Sequence, residues 1–154
     1  MLSKNDPLAK KLIDDEGWRN FPYVDSLGFW TIGVGHLIDR RKGGRLPSYI
    51  STFPLTDEEV LRLLEDDILL KKEGIRARGA WLLSLDTPRL NVVISMAFQL
   101  GVGGLFTFKS TLAAMQLADW PAAAAGIRSS KAYSQTTKRW ERHAQIIETG
   151  KEVV

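Results

Sequence analysis

The hydrophobic period of the chain changes abruptly at Gly17, and that change constrains the fold more than any other feature. Before it, Asn5-Asp6-Pro7 is a helix start, with a capping side chain followed by a proline whose missing N–H costs nothing there. Leu8, Leu12 and Ile13 then make an apolar stripe that ends near Glu16. From Phe21 to His36 aromatic and β-branched residues take over, and Thr31, Gly33 and Gly35 alternate with Ile32 and Val34. Asp25-Ser-Leu-Gly28 reads as the turn of a hairpin whose return strand runs through Thr31 to His36. One face of that strand is nearly bare, which suits either close approach of a ligand or tight packing on a neighbour.

The remainder reads as helices. Thr56-Asp-Glu-Glu59 is a capping box, and the apolar residues from Val60 to Leu69 continue it to Gly74 or Gly79, the longer option spanning roughly 33 Å. Further helices are expected from Thr87-Pro88 through Phe98, from Lys109 to Leu117, from Trp120-Pro121, and from Ser134 to Glu148. Gly101-Val-Gly-Gly104 lacks the strand and spacing of a phosphate loop and reads as a connection between helices. The class is α+β, predominantly α-helical, with a small sheet near the N-terminus. A length of 154 residues, 44% of them hydrophobic, suits one folding unit.

Several chemistries are excluded or disfavoured. With no cysteine, thiolate catalysis, disulfides and cysteine-ligated zinc are impossible. Only His36 and His143 are present, too few for a zinc-protease pattern, and no nucleophile-elbow motif surrounds a serine. No metal site is expected from two histidines at this spacing. Leu12-Ile13 runs straight into Asp14-Asp15, which leaves no secretion signal, and no apolar run is long enough to span a bilayer. A net charge of +3 suits an anionic partner such as cell-wall polymer, lipid headgroups or nucleic acid, and is also common in mildly basic soluble proteins. The basic residues do not alternate with aromatics as a nucleic-acid platform would, so no nucleic acid is expected. The basic stretch from Arg40 to Pro47 is a loop that either touches an anionic substrate or is simply solvated.

The stretch from Glu16 to Thr31 carries two carboxylates and a hydroxyl across the helix-to-hairpin junction. Glu16 would sit at the negative end of a helix dipole, where the anion is disfavoured and a proton donor benefits. Equally, it is one acid of the run Asp14-Asp15-Glu16. Two carboxylates flanking a scissile bond are the equipment of glycoside hydrolysis, one protonating the leaving oxygen while the other activates water or attacks the sugar.

Glu16-Gly, Asp25, Thr31-Ile-Gly-Val-Gly-His36-Leu37, Asn91, Phe98-Gln99-Leu-Gly101, and Gln135-Thr136 before Arg139 together resemble the T-even-phage lysozyme family of endolysins. The resemblance runs from about Leu12 to Gly150. It implies a lysozyme-like two-lobe fold: a small N-terminal α/β lobe over about 12–55, a linking helix over about 57–78 and a helical lobe over about 80–150, within one domain of 1–154. A cleft between the lobes, and cleavage of the β-1,4 bond between N-acetylmuramic acid and N-acetylglucosamine without a cofactor, are implied with it.

Residue by residue, the resemblance makes Glu16 the general acid, Asp25 the second carboxylate and Thr31 the residue beside the attacking water. It makes Leu37, Phe98 and Thr111 substrate contacts and places Arg139 near the catalytic glutamate, with Gln99 as support. His36 and Asp67 match a structural histidine–aspartate pair. The chain departs from the family at Gly126, where some members have a substrate-contacting asparagine, and at Ala132, where a bulky aromatic is usual. The loop from Arg40 to Pro54 has no clear counterpart, and the sequence ends soon after Gly150. The implied protein is a monomeric endolysin made in the host cytoplasm without a signal peptide. It is freed by a holin-like permeabiliser, acts on peptidoglycan, and does not insert stably into membranes. A lytic transglycosylase and a non-catalytic wall-binding module are the rival readings.

Overall fold

The computed structural model describes residues 1–39 and 54–153, so the basic loop beginning at Arg40 lies, apart from Pro54, outside the described residues. The chain divides into two compact units, Met1–Leu69 and Leu70–Val154.

In the first unit, helix α1 spans Pro7–Glu16, and Asp6 caps it as the sequence implies, its Oδ1 accepting from the N–H groups of Leu8 at 3.0 Å and Ala9 at 3.3 Å. The helix stops where Gly17 N donates to Ile13 O. Strand β1, Arg19–Val24, then pairs antiparallel with β2, Trp30–Gly33, setting Tyr23 opposite Thr31. The pairing is irregular between Arg19 and Tyr23, where Pro22 has no N–H to give the ladder. The expected turn is present, with Gly28 N donating to Asp25 O and Asp25 N to Phe29 O.

The return strand does not run unbroken to His36. The chain reverses at Val34-Gly35 and adds a third strand, β3, His36–Leu37, which pairs antiparallel with β2 so that Leu37 faces Thr31. Gly35, at φ +63, supplies the left-handed conformation this reversal needs. The sheet order is β1-β2-β3. Leu8, Leu12, Ile32, Val34, Val60 and Leu64 are among the buried residues of this unit.

Helix α2, Asp57–Gly79, takes the longer of the two expected extents and belongs to the first unit as far as Leu69. Its capping box is formed in both directions: Glu59 N donates to Thr56 Oγ1 and Thr56 N to Glu59 Oε1, each at 3.1 Å. Three acids in its first turn and two arginines in its last complement the helix dipole. Asn20 ties its entrance to β1, donating from Nδ2 to Leu55 O at 2.7 Å.

The second unit continues through a short 3-10 segment, Ala80–Ser84, into α3, Thr87–Leu105. This helix outruns the expected end at Phe98 and breaks at Gly101, whose φ of 76 and ψ of 162 are not helical. Helices α4, Lys109–Gln116, and α5, Trp120–Arg128, lie where the sequence places them. The expected last helix is two: α6, Lys131–Gln135, and α7, Thr137–Thr149. Ser130 nucleates the first by accepting from Tyr133 N, and Thr136, at φ −135 and ψ 66, separates them.

Helix α7 packs on α3, α5 and α6, and its Trp140 is fully buried and stacked on Phe108. Glu141 on its flank receives Arg128 Nε at 2.9 Å, Arg128 Nη2 at 3.2 Å, Gln145 and the Tyr133 hydroxyl. Arg128 first and Gln145 next lower its carboxyl to about 2. No single described helix is long and apolar enough to cross a membrane.

Candidate active site

Glu16, Asp25 and Thr31 all lie in the first unit, on α1, the hairpin turn and β2. Glu16 is half-buried at the last position of α1, with the backbone of Gly35 laid against its side chain. A Cβ on Gly35 would stand 3.1 Å from Glu16 Cβ and 3.2 Å from Oε2.

Asp25 is held by the turn it starts. Its Oδ1 accepts from the N–H groups of Leu27 and Phe29, each at 2.9 Å. That oxygen is occupied by the backbone, and the described partners leave Oδ2 for other work. Thr31 is buried at 4% exposure, and its hydroxyl donates to Phe29 O at 3.1 Å. A carbonyl can only accept, so the proton of Thr31 is committed and lone pairs are what the hydroxyl has left.

Leu37 faces Thr31 across the β2–β3 pairing and is 43% exposed. His36 Nδ1 lies 2.8 Å from Asp67 Oδ2, joining β3 to α2. The Asp67 hydrogen bond raises the imidazole pKa above its ordinary value, against burial, which lowers it, and the charges of Asp67 and Asp66 add to the rise.

The other expected residues lie in the second unit. Phe98 on α3 has Lys71 Nζ 5.8 Å from its ring centroid. Gln99, beside it, is a junction: its Oε1 accepts from Arg139 Nη1 at 2.9 Å and Trp140 Nε1 at 3.1 Å, while its Nε2 donates to Thr136 Oγ1 at 3.3 Å. Thr111 is buried on α4, packed so closely on α5 that a Cβ on Gly126 would overlap its Oγ1. Among the described residues, no group of three or more His, Asp or Glu is arranged to hold a metal ion.

Two neighbours of these residues escape sequence reasoning. Tyr23 stands opposite Thr31, and burial first raises its phenol pKa, Arg19 opposing and the charges of Glu16 and Asp25 adding to the rise. Its position two residues before Asp25 was the available signal. Trp140 donates to Gln99 from a position only the α7 packing reveals.

A mostly helical chain with two carboxylates and a buried hydroxyl around one hairpin carries side chains of the kind a glycosidase uses. The sequence model of the phage lysozyme family matches residues 14–146. The chain is 31% identical to probable T4-type lysozyme 1 of Dictyostelium discoideum, over 88% of its own length and 90% of that protein. It is 33% identical to the pre-baseplate central spike protein Gp5 of Enterobacteria phage T4, covering 95% of this chain but 28% of the spike protein. A 28% identity to the peptidoglycan hydrolase gp36 of Pseudomonas phage phiKMV covers 86% of this chain and 14% of that one. The chain belongs to the phage lysozyme family and is a glycoside hydrolase of the lysozyme class.

Proposed function

We propose that the protein hydrolyses the β-1,4 bond between N-acetylmuramic acid and N-acetylglucosamine in peptidoglycan, by acid and base catalysis with inversion. Glu16 protonates the leaving oxygen, Asp25 takes a proton from the attacking water, and Thr31 holds that water. The observation that carries this reading is the state of the two hairpin residues. Asp25 keeps Oδ1 on the Leu27 and Phe29 amides, so its Oδ2 is the base. Thr31 donates its hydroxyl hydrogen to Phe29 O, so toward the water it accepts a hydrogen bond instead of giving one. A water that donates to both oxygens turns a lone pair toward the sugar.

Glu16 supplies the acid from the end of α1, where the helix dipole disfavours the anion. The protein acts as a monomer on the cell wall, after a separate membrane-permeabilising protein frees it from the cytoplasm. Support for that route comes from the phage origin of two relatives, one of them named a peptidoglycan hydrolase.

Clearing of outer-membrane-stripped Gram-negative sacculi tests the reading. Glu16→Gln should still sediment with sacculi, while cleavage falls by about a hundred- to ten-thousand-fold, the range for loss of a general acid. Near wild-type cleavage by this variant would remove Glu16 from its role.

A further inference from the structure

In an antiparallel sheet, residues directly opposite one another project to the same face, their Cβ atoms about 4.5–5.5 Å apart. The pairings of Tyr23 with Thr31 and of Thr31 with Leu37 therefore lay three side chains in one row across β1, β2 and β3. Thr31, in the middle, is buried, while Tyr23 is half-buried and Leu37 exposed. A water on the lone pairs of Thr31 Oγ1 thus has a neighbour on either side. Leu37 offers it a hydrocarbon, and Tyr23 offers it a phenol.

The ring of Tyr23 is held from its own strand, with the guanidinium carbon of Arg19 5.4 Å from its centroid, a cation–π contact. Its hydroxyl has no hydrogen-bond partner among the described residues. Burial first raises its pKa, Arg19 opposes, and the charges of Glu16 and Asp25 add to the rise, so the oxygen keeps its proton at neutral pH. Tyr23 therefore brings an uncommitted donor to the row that holds Thr31.

What that donor is for follows from the hydrogen bonds of one water, which has two hydrogens and two lone pairs. On the mechanism proposed above, the hydrogens point to Asp25 Oδ2 and Thr31 Oγ1, and one lone pair attacks the anomeric carbon. One lone pair is left over. Held by two contacts only, the water still swings about the line joining its acceptors. A donor on the second lone pair removes that freedom. Thr31 is not that donor, because its hydrogen is on Phe29 O, and Leu37 has none to give.

We infer that Tyr23 is the third residue on the attacking water, its O–H donating to the spare lone pair and leaving the other aimed at the anomeric carbon. The inference rests on the hydrolysis proposed above. Tyr23 keeps its proton throughout. The water oxygen bonds to the anomeric carbon and gives one proton to Asp25 Oδ2, while the bond to the leaving oxygen breaks and that oxygen takes the proton of Glu16.

Tyr23→Phe keeps the ring that Arg19 covers and deletes only the donor. Initial rates on purified sacculi should show kcat lowered by about tenfold, the worth of one hydrogen bond, with KM and the melting temperature unchanged. A double-mutant cycle with Thr31→Val separates this from a structural role. If both side chains hold one water, Tyr23→Phe made in the Thr31→Val protein should lower kcat by less than about threefold. The full loss in both backgrounds, no loss in either, or a loss of rate that follows a fall in melting temperature would each overturn the inference. Mass spectra of the wild-type products are read alongside. Anhydro ends would remove the attacking water, and the proposed hydrolysis and the part of Tyr23 would fall together. Hydrolytic products with full kcat in Tyr23→Phe would overturn this inference alone.

Discussion

Gly35 lies against the side chain of Glu16, with a φ of +63, and a Cβ there would stand 3.1 Å from Glu16 Cβ, tighter than ordinary van der Waals contact. The reversal between β2 and β3 and the placing of the glutamate are therefore one arrangement. Gly35→Ala should cost about 1–2 kcal/mol through the left-handed backbone alone. It should also push the Glu16 carboxyl by a few tenths of an ångström. On the proposed role of Glu16 as the acid, this misplacement should lower kcat by about tenfold or more at temperatures well below the melting point. Thermal denaturation and initial rates on sacculi read the two effects separately. Full activity in a destabilised Gly35→Ala protein would show that Glu16 does not depend on this contact.

On the proposed mechanism Asp25 has two duties, which one pair of substitutions can divide. Asn at this position keeps an Oδ1 to accept from Leu27 and Phe29 but has no proton-accepting carboxylate. Asp25→Asn should therefore melt close to wild type and lose activity by about a hundredfold or more. Asp25→Ala should lose that activity and also about 1–3 kcal/mol of stability, because two turn amides lose their acceptor. If Asp25→Asn turned over substrate normally, the residue would be a turn holder only.

The His36–Asp67 contact gives stability a definite pH dependence. The hydrogen bond that His36 donates to Asp67 raises the folded pKa of His36 above its unfolded value. The contribution is thus fully present below the unfolded value of about 6.5 and is lost as pH rises through the folded one. With both side chains partly exposed, it should be on the order of 1 kcal/mol. Urea melts of wild type and Asp67→Asn should differ most at mildly acidic pH and converge in the alkaline range. A difference that stays flat across pH would count against the ion pair.

How much of this was legible in the sequence depends on how local the cause is. Asp6 before Pro7, the reciprocal pair Thr56 and Glu59, and the turn from Asp25 to Gly28 act within four residues, and each stands where the pattern puts it. The third strand was not legible, because Gly33 and Gly35 fit an alternating strand as well as a reversal. Nor was the division of the last helix at Thr136, since the periodicity of Ser134 to Glu148 does not show that Ser130 caps a separate turn. Among the candidate site residues, the hydrogen bonds of Asp25 follow from its turn, and those of Gln99 do not follow from its neighbours. Its partners Arg139 and Trp140 are forty and forty-one positions away, brought in by the packing of α7 on α3.

The proposed roles of Asp25 and Thr31 lead to a particular product. In an inverting glycosidase the carboxyl groups stand about 6.5–9.5 Å apart, so that water fits between base and sugar, whereas a retaining nucleophile lies closer. A threonine whose proton is fixed on Phe29 O offers that water an acceptor without filling its place, and the resembled family inverts. The first reducing sugar released should therefore be the α-anomer, visible by proton NMR before mutarotation. A lytic transglycosylase would let the muramic acid hydroxyl attack in place of water and leave a 1,6-anhydro end, lighter by one water in the mass spectrum. Anhydro ends as the main product would overturn hydrolysis. An initial β-anomer would instead make Asp25 a nucleophile or the substrate its own assistant. With anhydro ends no water attacks, so Thr31 would have none to hold, and Thr31→Val, which removes the lone pairs and keeps the shape, should then leave kcat nearly intact. On the inverting reading the same substitution should lower kcat by about tenfold or more, the worth of one hydrogen bond to the attacking water.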